Sequence, residues 1–148
     1  MSSCSYQVNS EYVGGLDGVG RVQAQGFELA FSAPKELHGA GQGTNPEELL
    51  TAAASACYLI TLATILKFQG IEVRRISNKT EMDLKSTLPM RITQIRHRPV
   101  IVVASGCSAE TRAKIEALIQ RSEQACLVGQ SLKPSVFITV AASIEEEA

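Results

Sequence analysis

Between Leu49 and Leu66 the chain runs for eighteen residues without a charge, and no other stretch restricts the fold as strongly. Its length sits at the lower edge of a membrane span, roughly 18 residues. Thr51, Ala52, Ala53, Ala54, Ser55, Thr61 and Thr64 keep its hydrophobicity down, however, and Glu47 and Glu48 before it and Lys67 after it supply no cluster of positive charge to orient an insertion. The stretch reads as a helix buried nearly all round inside a protein that does not enter a membrane. Asn45 is placed to cap it, Pro46 suits its first position, Glu48 completes a capping-box spacing and Gly70 stops it.

Around this helix the remaining segments alternate in type. Residues 5–32 carry two or three short strands punctuated by Gly14-Gly15, Gly18 and Gly26, with Phe27, Leu29 and Phe31 on one face. A glycine-rich loop, 33–45, leads into the helix. Ile71 to Lys85 and Met90 to Ser105 read as a strand pair joined by a turn at Ser86 to Pro89, with Pro99 marking a bulge or an edge. Ser108 caps a second helix, whose Ile115, Leu118, Ile119 and Ser122 follow the 3.6-residue period and which ends near Cys126 and Gly129. A last strand follows Pro134, and the acidic segment Glu145 to Glu147 reads as a solvated end. Strands in runs predict an α+β fold with mainly antiparallel sheet, as one domain over residues 1–148. A helix apolar on all sides needs more cover than one small sheet offers, which predicts an obligate homodimer around the helices.

Composition removes several function classes. Fourteen Lys and Arg balance 15 Asp and Glu, and there is no basic run, so a nucleic-acid surface is excluded. With no Trp and seven other aromatics, a stacking platform for bases or sugars is not expected. Cys4, Cys57, Cys107 and Cys126 form no CxxC pair, and with only two His a zinc site has no support; no cofactor is expected. The opening segment Met1–Ser10 lacks the regions of a secretory leader, which predicts a cytoplasmic protein in which standing disulfides are disfavoured.

Gly43-Thr44-Asn45-Pro46-Glu47-Glu48-Leu49, followed by Cys57 within Ala-Ala-Ala-Ser-Ala-Cys-Tyr, resembles the OsmC/Ohr family of thiol peroxidases. Gln124-Ala125-Cys126-Leu127-Val128 with Gln130 behind it, and the loop Pro34-Lys35-Glu36-Leu37 with Gly39 to Gly43, extend the resemblance over nearly the whole chain. The resemblance implies an intertwined homodimer around a long buried central helix, with its sites at the subunit interface. It further implies reduction of organic hydroperoxides through a two-cysteine cycle, with a dithiol as reductant. Carried over by position, Cys57 is the peroxidatic cysteine, Cys126 the resolving cysteine and a Cys57–Cys126 disulfide the intermediate, with Glu47 as the carboxylate near the site. One position departs from the family: where Ohr-type members carry an active-site Arg in the first glycine-rich turn, this chain has Leu16, and Arg21 is the nearest replacement.

The residues themselves bear on that chemistry. Only a thiolate attacks a peroxide, and a mid-helix cysteine such as Cys57 gains little from the helix dipole, so an Arg is expected beside it: Arg21 first, Arg96 and Arg98 as alternatives. Ala53, Ala54, Ile60 and Thr61 leave room for an apolar peroxide. Cys126, near a helix C-terminus, suits the resolving role. Cys107 stands a helix of on the order of 25 Å away from it and is a poor partner, and Cys4 is incidental. His97, between two Arg on a strand, reads as a surface position, and His38 as a solvated loop residue. Glu48 reads as a cap. Glu47 reads equally as a first-turn acid favoured by the dipole; ten residues, roughly 15 Å of axis, separate it from Cys57, so it serves that cysteine only from a second copy. Two other readings stay open: a non-catalytic protein holding a lipid-like ligand in the same apolar pocket, and a structural dimer with inert thiols.

Overall fold

The computed structural model describes residues 3–148; Met1 and Ser2, the start of the segment read for a leader, lie outside the described residues. The chain divides into two compact units, Met1–Leu50 and Thr51–Ala148. In the first, strands β1 (Asn9–Val13), β2 (Val19–Ala24) and β3 (Phe27–Phe31) form an antiparallel sheet in that order. Gly20 and Val22 are its buried residues, and Tyr12 and Phe31 stack at 5.8 Å between ring centroids. A single 3-10 turn, Lys35–Leu37, interrupts the loop that follows. Exposed His38 closes that turn, as a solvated loop residue would.

The loop is tied back to β3 before the long helix begins. Thr44 N–H donates to Ala30 O at 2.9 Å, and Ser32 N–H donates to Thr44 O at 3.0 Å. This close return requires Gly43: its φ is +69°, and a Cβ there would lie 2.3 Å from Ala30 O. Asn45 Oδ1 then accepts from Glu48 N–H at 2.8 Å, as the cap predicts, but the Glu48 carboxylate accepts from the Thr44 hydroxyl, so the reciprocal half of the box is closed one residue earlier. Helix α1 (Pro46–Phe68) starts there. It ends at Gly70, φ +70°, in a Schellman arrangement: Ile71 N–H donates to Leu66 O and Gly70 N–H to Lys67 O, both at 3.0 Å.

In the second unit, the stripe Ala54, Tyr58, Leu62 and Leu66 recurs every four residues and is buried to 1% exposure or less. It packs on Ile95, Ile101 and Val103 of the sheet and on Ile115, Leu118 and Ile119 of the second helix. Within the single chain the rest of α1 is left uncovered. Ala52, Ala53, Ala56, Ile60 and Phe68 stay exposed, because one sheet and one helix cover one stripe. By length and composition α1 is also long and apolar enough to cross a membrane, with a mean hydropathy of 2.0; its buried stripe packs on the sheet and the second helix.

The sheet of this unit is mixed. Strands β4 (Arg75–Lys85) and β5 (Arg91–Val103) pair antiparallel, with a bulge at Asp83/Leu84. On its other side β5 takes two short parallel strands in succession, β6 (Phe137–Val140) along Gln94–His97 and β7 (Ser143–Glu146) along Val100–Val103. Pro99 therefore marks neither a bulge nor an edge. It is buried in the central strand, at the gap between β6 and β7 where no N–H is asked of it. The acidic segment is exposed, as a solvated end would be, but it is not a loose one: Glu145 and Glu146 belong to β7, whose Ile144 packs against the core, and Glu146 pairs with Arg112 at 2.7 Å. Helix α2 (Ala109–Ala125) is capped by Ser108, whose hydroxyl accepts from Thr111 N–H at 3.1 Å, and a further short helix, α3 (Leu127–Leu132), follows at once. The result is an α+β fold with an antiparallel and a mixed sheet.

Candidate active site

Cys57 and Cys126 meet in the second unit. Both are free thiols; Cys57 is half-buried and Cys126 buried. Cys57 faces the junction where α2 gives way to α3. Cys126 is that junction: it caps the C-terminus of α2, donating its N–H to Glu123 O at 3.3 Å, and it is the N-cap of α3, accepting from Gln130 N–H at 2.8 Å. Cys126 thus lies at a helix C-terminus as expected, and a second helix, not foreseen, starts on it and turns its first amides toward Cys57. Val128 N–H donates to Cys57 Sγ at 3.5 Å.

These neighbours set the two thiols apart. Burial opposes ionisation of Cys57, but hydrogen bonds from its neighbours, the Val128 amide first and then the Cys126 thiol and the Leu127 amide, outweigh it, and the thiol is held below its ordinary value. Cys126 moves the other way, pushed up to about 11 by burial and by the neighbouring Cys57. The arrangement thus favours a thiolate at Cys57 and a neutral, donating thiol at Cys126. Thr61, one turn after Cys57, donates to the Cys57 carbonyl at 2.8 Å.

No guanidinium of this unit takes the place expected for a cation. Arg96 forks onto Asp83 and Arg98 pairs with Glu81 at 3.3 Å. Strand alternation puts both on the face of β5 opposite Ile95, His97 and Ile101, and it is these three that turn toward α1. Arg21, on β2 of the first unit, pairs with Glu28 at 2.8 Å, both side chains exposed, and Leu16 lies exposed in the turn after β1. A charged side chain is legible in a sequence, whereas the backbone donors at Cys57 leave no such sign. Of the expected pocket residues, Ala53 and Ile60 are open to solvent and Thr61 is half-buried, whereas Ala54 is packed beneath the helix against Ile95 and Ile138. Exposed Leu127 adds an apolar side chain beside Cys126. Glu47 lies half-buried in the first turn of α1, which runs unbroken to Cys57 and beyond.

His97 corrects another expectation. It is 2% exposed, with its ring stacked on Tyr58 at 4.7 Å and 13°. The Arg on either side face the opposite way, which is what strand alternation demands. Cys107 packs half-buried against the core before α2, at the opposite end of that helix from Cys126, and Cys4 is exposed. Among the described residues no three His, Cys, Asp or Glu side chains converge as a metal site would require.

A family model described as OsmC-like protein matches residues 39–141. Uncharacterized protein YmaD of Bacillus subtilis (strain 168) is 28% identical over 146 residues, 98% of this chain and 97% of its own length. Peroxiredoxin OsmC of Escherichia coli (strain K12) is 32% identical over 122 residues, 82% of this chain and 78% of its own. The crystal structure of an organic hydroperoxide resistance protein OsmC from Legionella pneumophila shares the fold, with a TM-score of 0.75 at 22% identity over 95% of this chain and 99% of that one. Relatives that carry peroxiredoxin and hydroperoxide-resistance names support a peroxidase-like role in the family. The match to the family model across most of its length, together with a cysteine behind GTNPEEL and a second at a helix junction, establishes that this chain belongs to the OsmC/Ohr family.

Proposed function

We propose that the chain is a cysteine-dependent peroxidase that reduces organic hydroperoxides. The observation that carries the reading is that Cys57 packs with Cys126 at the α2–α3 junction and accepts from Val128 N–H, its thiol held below the ordinary value while that of Cys126 is pushed above it. The Cys57 thiolate attacks the O–O bond; the alkoxide leaves, takes up a proton and departs as the alcohol, and Cys57 becomes a sulfenic acid. Cys126 then attacks that sulfur, its proton goes to the leaving hydroxide as water, and a Cys57–Cys126 disulfide remains. An external dithiol restores both thiols and is itself oxidised to a disulfide. The amides of Leu127 and Val128 supply the donors that an Arg supplies in Ohr-type members. Ile60 and Leu127, apolar and exposed near the sulfurs, favour an alkyl over a small hydrophilic peroxide.

The working unit in this reading is a homodimer in the cytoplasm. The uncovered residues Ala52, Ala53, Ala56 and Ile60 give α1 an apolar face for a second copy, and Glu47 of that copy would complete the site. The test is turnover with an alkyl hydroperoxide and with hydrogen peroxide, driven by a dithiol, together with a thiol count. Loss of two thiols per chain and preference for the alkyl peroxide support the proposal; no consumption of either overturns it. Leu16 at the expected Arg position favours one other reading, a non-catalytic protein that holds a lipid-like ligand; bound ligand with unchanged thiols is its signature.

A further inference from the structure

Cys57 is flanked in α1 by two residues that are tied to the sheet by polar contacts. Tyr58, fully buried, stacks on His97, and Ser55 accepts from Asn78 Nδ2 at 3.1 Å. Asn78 Nδ2 also lies 3.2 Å from His97 Nδ1, and Thr80, directly opposite His97 in the β4–β5 register, places its hydroxyl 3.0 Å from the same nitrogen. One imidazole thus gathers α1, β4 and β5 at a single point. Tyr58 carries the connection on to α2, where its hydroxyl donates to Ile119 O at 3.4 Å. That helix ends on Cys126.

The buried stripe sets which face of α1 turns inward, and directional contacts refine that rotation. Ala54, Leu62 and Leu66 hold the helix against its neighbours, but such contacts are non-directional. Directional contacts are supplied beside Cys57 by Ser55 and Tyr58. At about 100° per residue these two lie some 60° apart on the sheet-facing side, and Cys57 lies about 100° beyond Tyr58. Pinning Ser55 and Tyr58 therefore aims the Cys57 sulfur toward the Val128 amide. A polar imidazole at 2% exposure costs free energy unless it is paired, and a core that needed only volume would be served by an apolar ring.

We infer that His97 is a positioning residue for the Cys57 thiolate, acting through Tyr58 and through Asn78 and Ser55. The inference deepens the peroxidase reading and rests on it for its catalytic meaning, but its geometry concerns only the reactivity of one sulfur. Two substitutions divide the function of the ring. His97→Phe keeps the stack on Tyr58 and removes the nitrogen; His97→Gln keeps an acceptor and loses the stack.

The experiment measures alkylation of Cys57 by iodoacetamide across pH, resolved by peptide mass spectrometry on the reduced full chain. In His97→Phe the rate at neutral pH is expected to fall about tenfold, with the profile displaced to higher pH and the alkaline plateau unchanged, because each pH unit of thiol pKa is a factor of about ten in thiolate below the midpoint. His97→Gln is expected to recover part of that loss. A purely structural histidine would lower the melting temperature and leave the Cys57 profile in place, and that result overturns the inference. Should His97→Phe fail to fold, Asn78→Ala carries the test: it releases Ser55 from the imidazole, and an unmoved profile there overturns the inference equally. Since no peroxide is used, the two ideas fail separately. A displaced profile in a chain that turns over no peroxide keeps the positioning role and removes the peroxidase reading; normal turnover with an unmoved profile does the reverse.

Discussion

Replacing Leu127 by proline deletes one amide donor at the Cys57 sulfur and disturbs little else. Leu127 is the first residue of α3, where the N–H has no carbonyl partner within the helix and the φ of proline is already suitable. The residue before a proline must be extended, and Cys126 is, at φ −68° and ψ 115°. A hydrogen bond to a charged group contributes about 1.5–3 kcal/mol. Cys57 is only half-buried, and the Leu127 amide ranks below the Val128 amide and the Cys126 thiol at this sulfur, so about 1 kcal/mol is expected for Leu127. At about 1.4 kcal/mol per pH unit, the Cys57 midpoint rises by roughly 0.7 and the thiolate fraction at neutral pH falls about fivefold. The assay is the ultraviolet absorbance of the thiolate against pH in a Cys4→Ser, Cys107→Ser background. There the Cys57 step is separable, because Cys126 titrates only near about 11. The peroxide rate should fall in the same proportion at neutral pH and return to wild type in alkali. A midpoint that stays put or drops, with helix content intact, refutes the account of amide activation.

Four further outcomes are expected. Cys57→Ser abolishes peroxide consumption, whereas Cys126→Ser undergoes one oxidation and stalls as sulfenic or over-oxidised acid, read by intact-mass spectrometry; wild-type rates in Cys57→Ser would end the peroxidase proposal. Mixed Cys57→Ser and Glu47→Ala chains regain one working site per heterodimer if Glu47 acts across the interface, and no recovery after demonstrated subunit exchange counts against a shared site. His97 is held below its ordinary 6.5 by burial, which outweighs the opposing pull of Glu123, so the unfolded chain binds its proton first. The contribution of His97 is complete above pH 6.5 and is lost as pH falls below it toward the lower folded value, at up to about 1.4 kcal/mol per pH unit. Denaturant melts should show that slope in wild type and not in His97→Phe. Lys133→Ala strips the partner from Glu123, which sits 2.7 Å away with its side chain 11% exposed, and chemical denaturation should register a loss of about 1–2 kcal/mol, less than a fully enclosed pair would cost.

Much of this architecture is legible in the residues, and the misreadings have physical causes. Asn45, Pro46 and Gly70 mark the ends of α1 because caps are local chemistry. An apolar run states how much cover a helix wants and not where it comes from, and the faces of α1 that the single chain leaves open are the ones expected to need a second copy. His97 was misread through its neighbours: Arg96 and Arg98 suggest a surface, yet on a strand they define the opposite face. Helix α3 is six residues long and includes Gly129 and Ser131, too short to display a period. With it went the origin of the donors at Cys57, for backbone amides leave no trace in residue type. Strand β7 was hidden by Glu145 to Glu147, of which Glu146 pairs with Arg112 and Glu147 with Arg74.

The position of Cys126 has a mechanical meaning. A residue that closes one helix and opens the next is a joint between them. Bonding to Cys57 requires the two Cα atoms within roughly 7 Å, and it discharges the ion to which the Leu127 and Val128 amides are turned. In the proposed cycle each oxidation therefore loosens the six residues after the joint and each reduction seats them again. Amide exchange along α3 would then record the redox history of the molecule, and a reductant would distinguish spent from fresh protein by its shape before touching a sulfur.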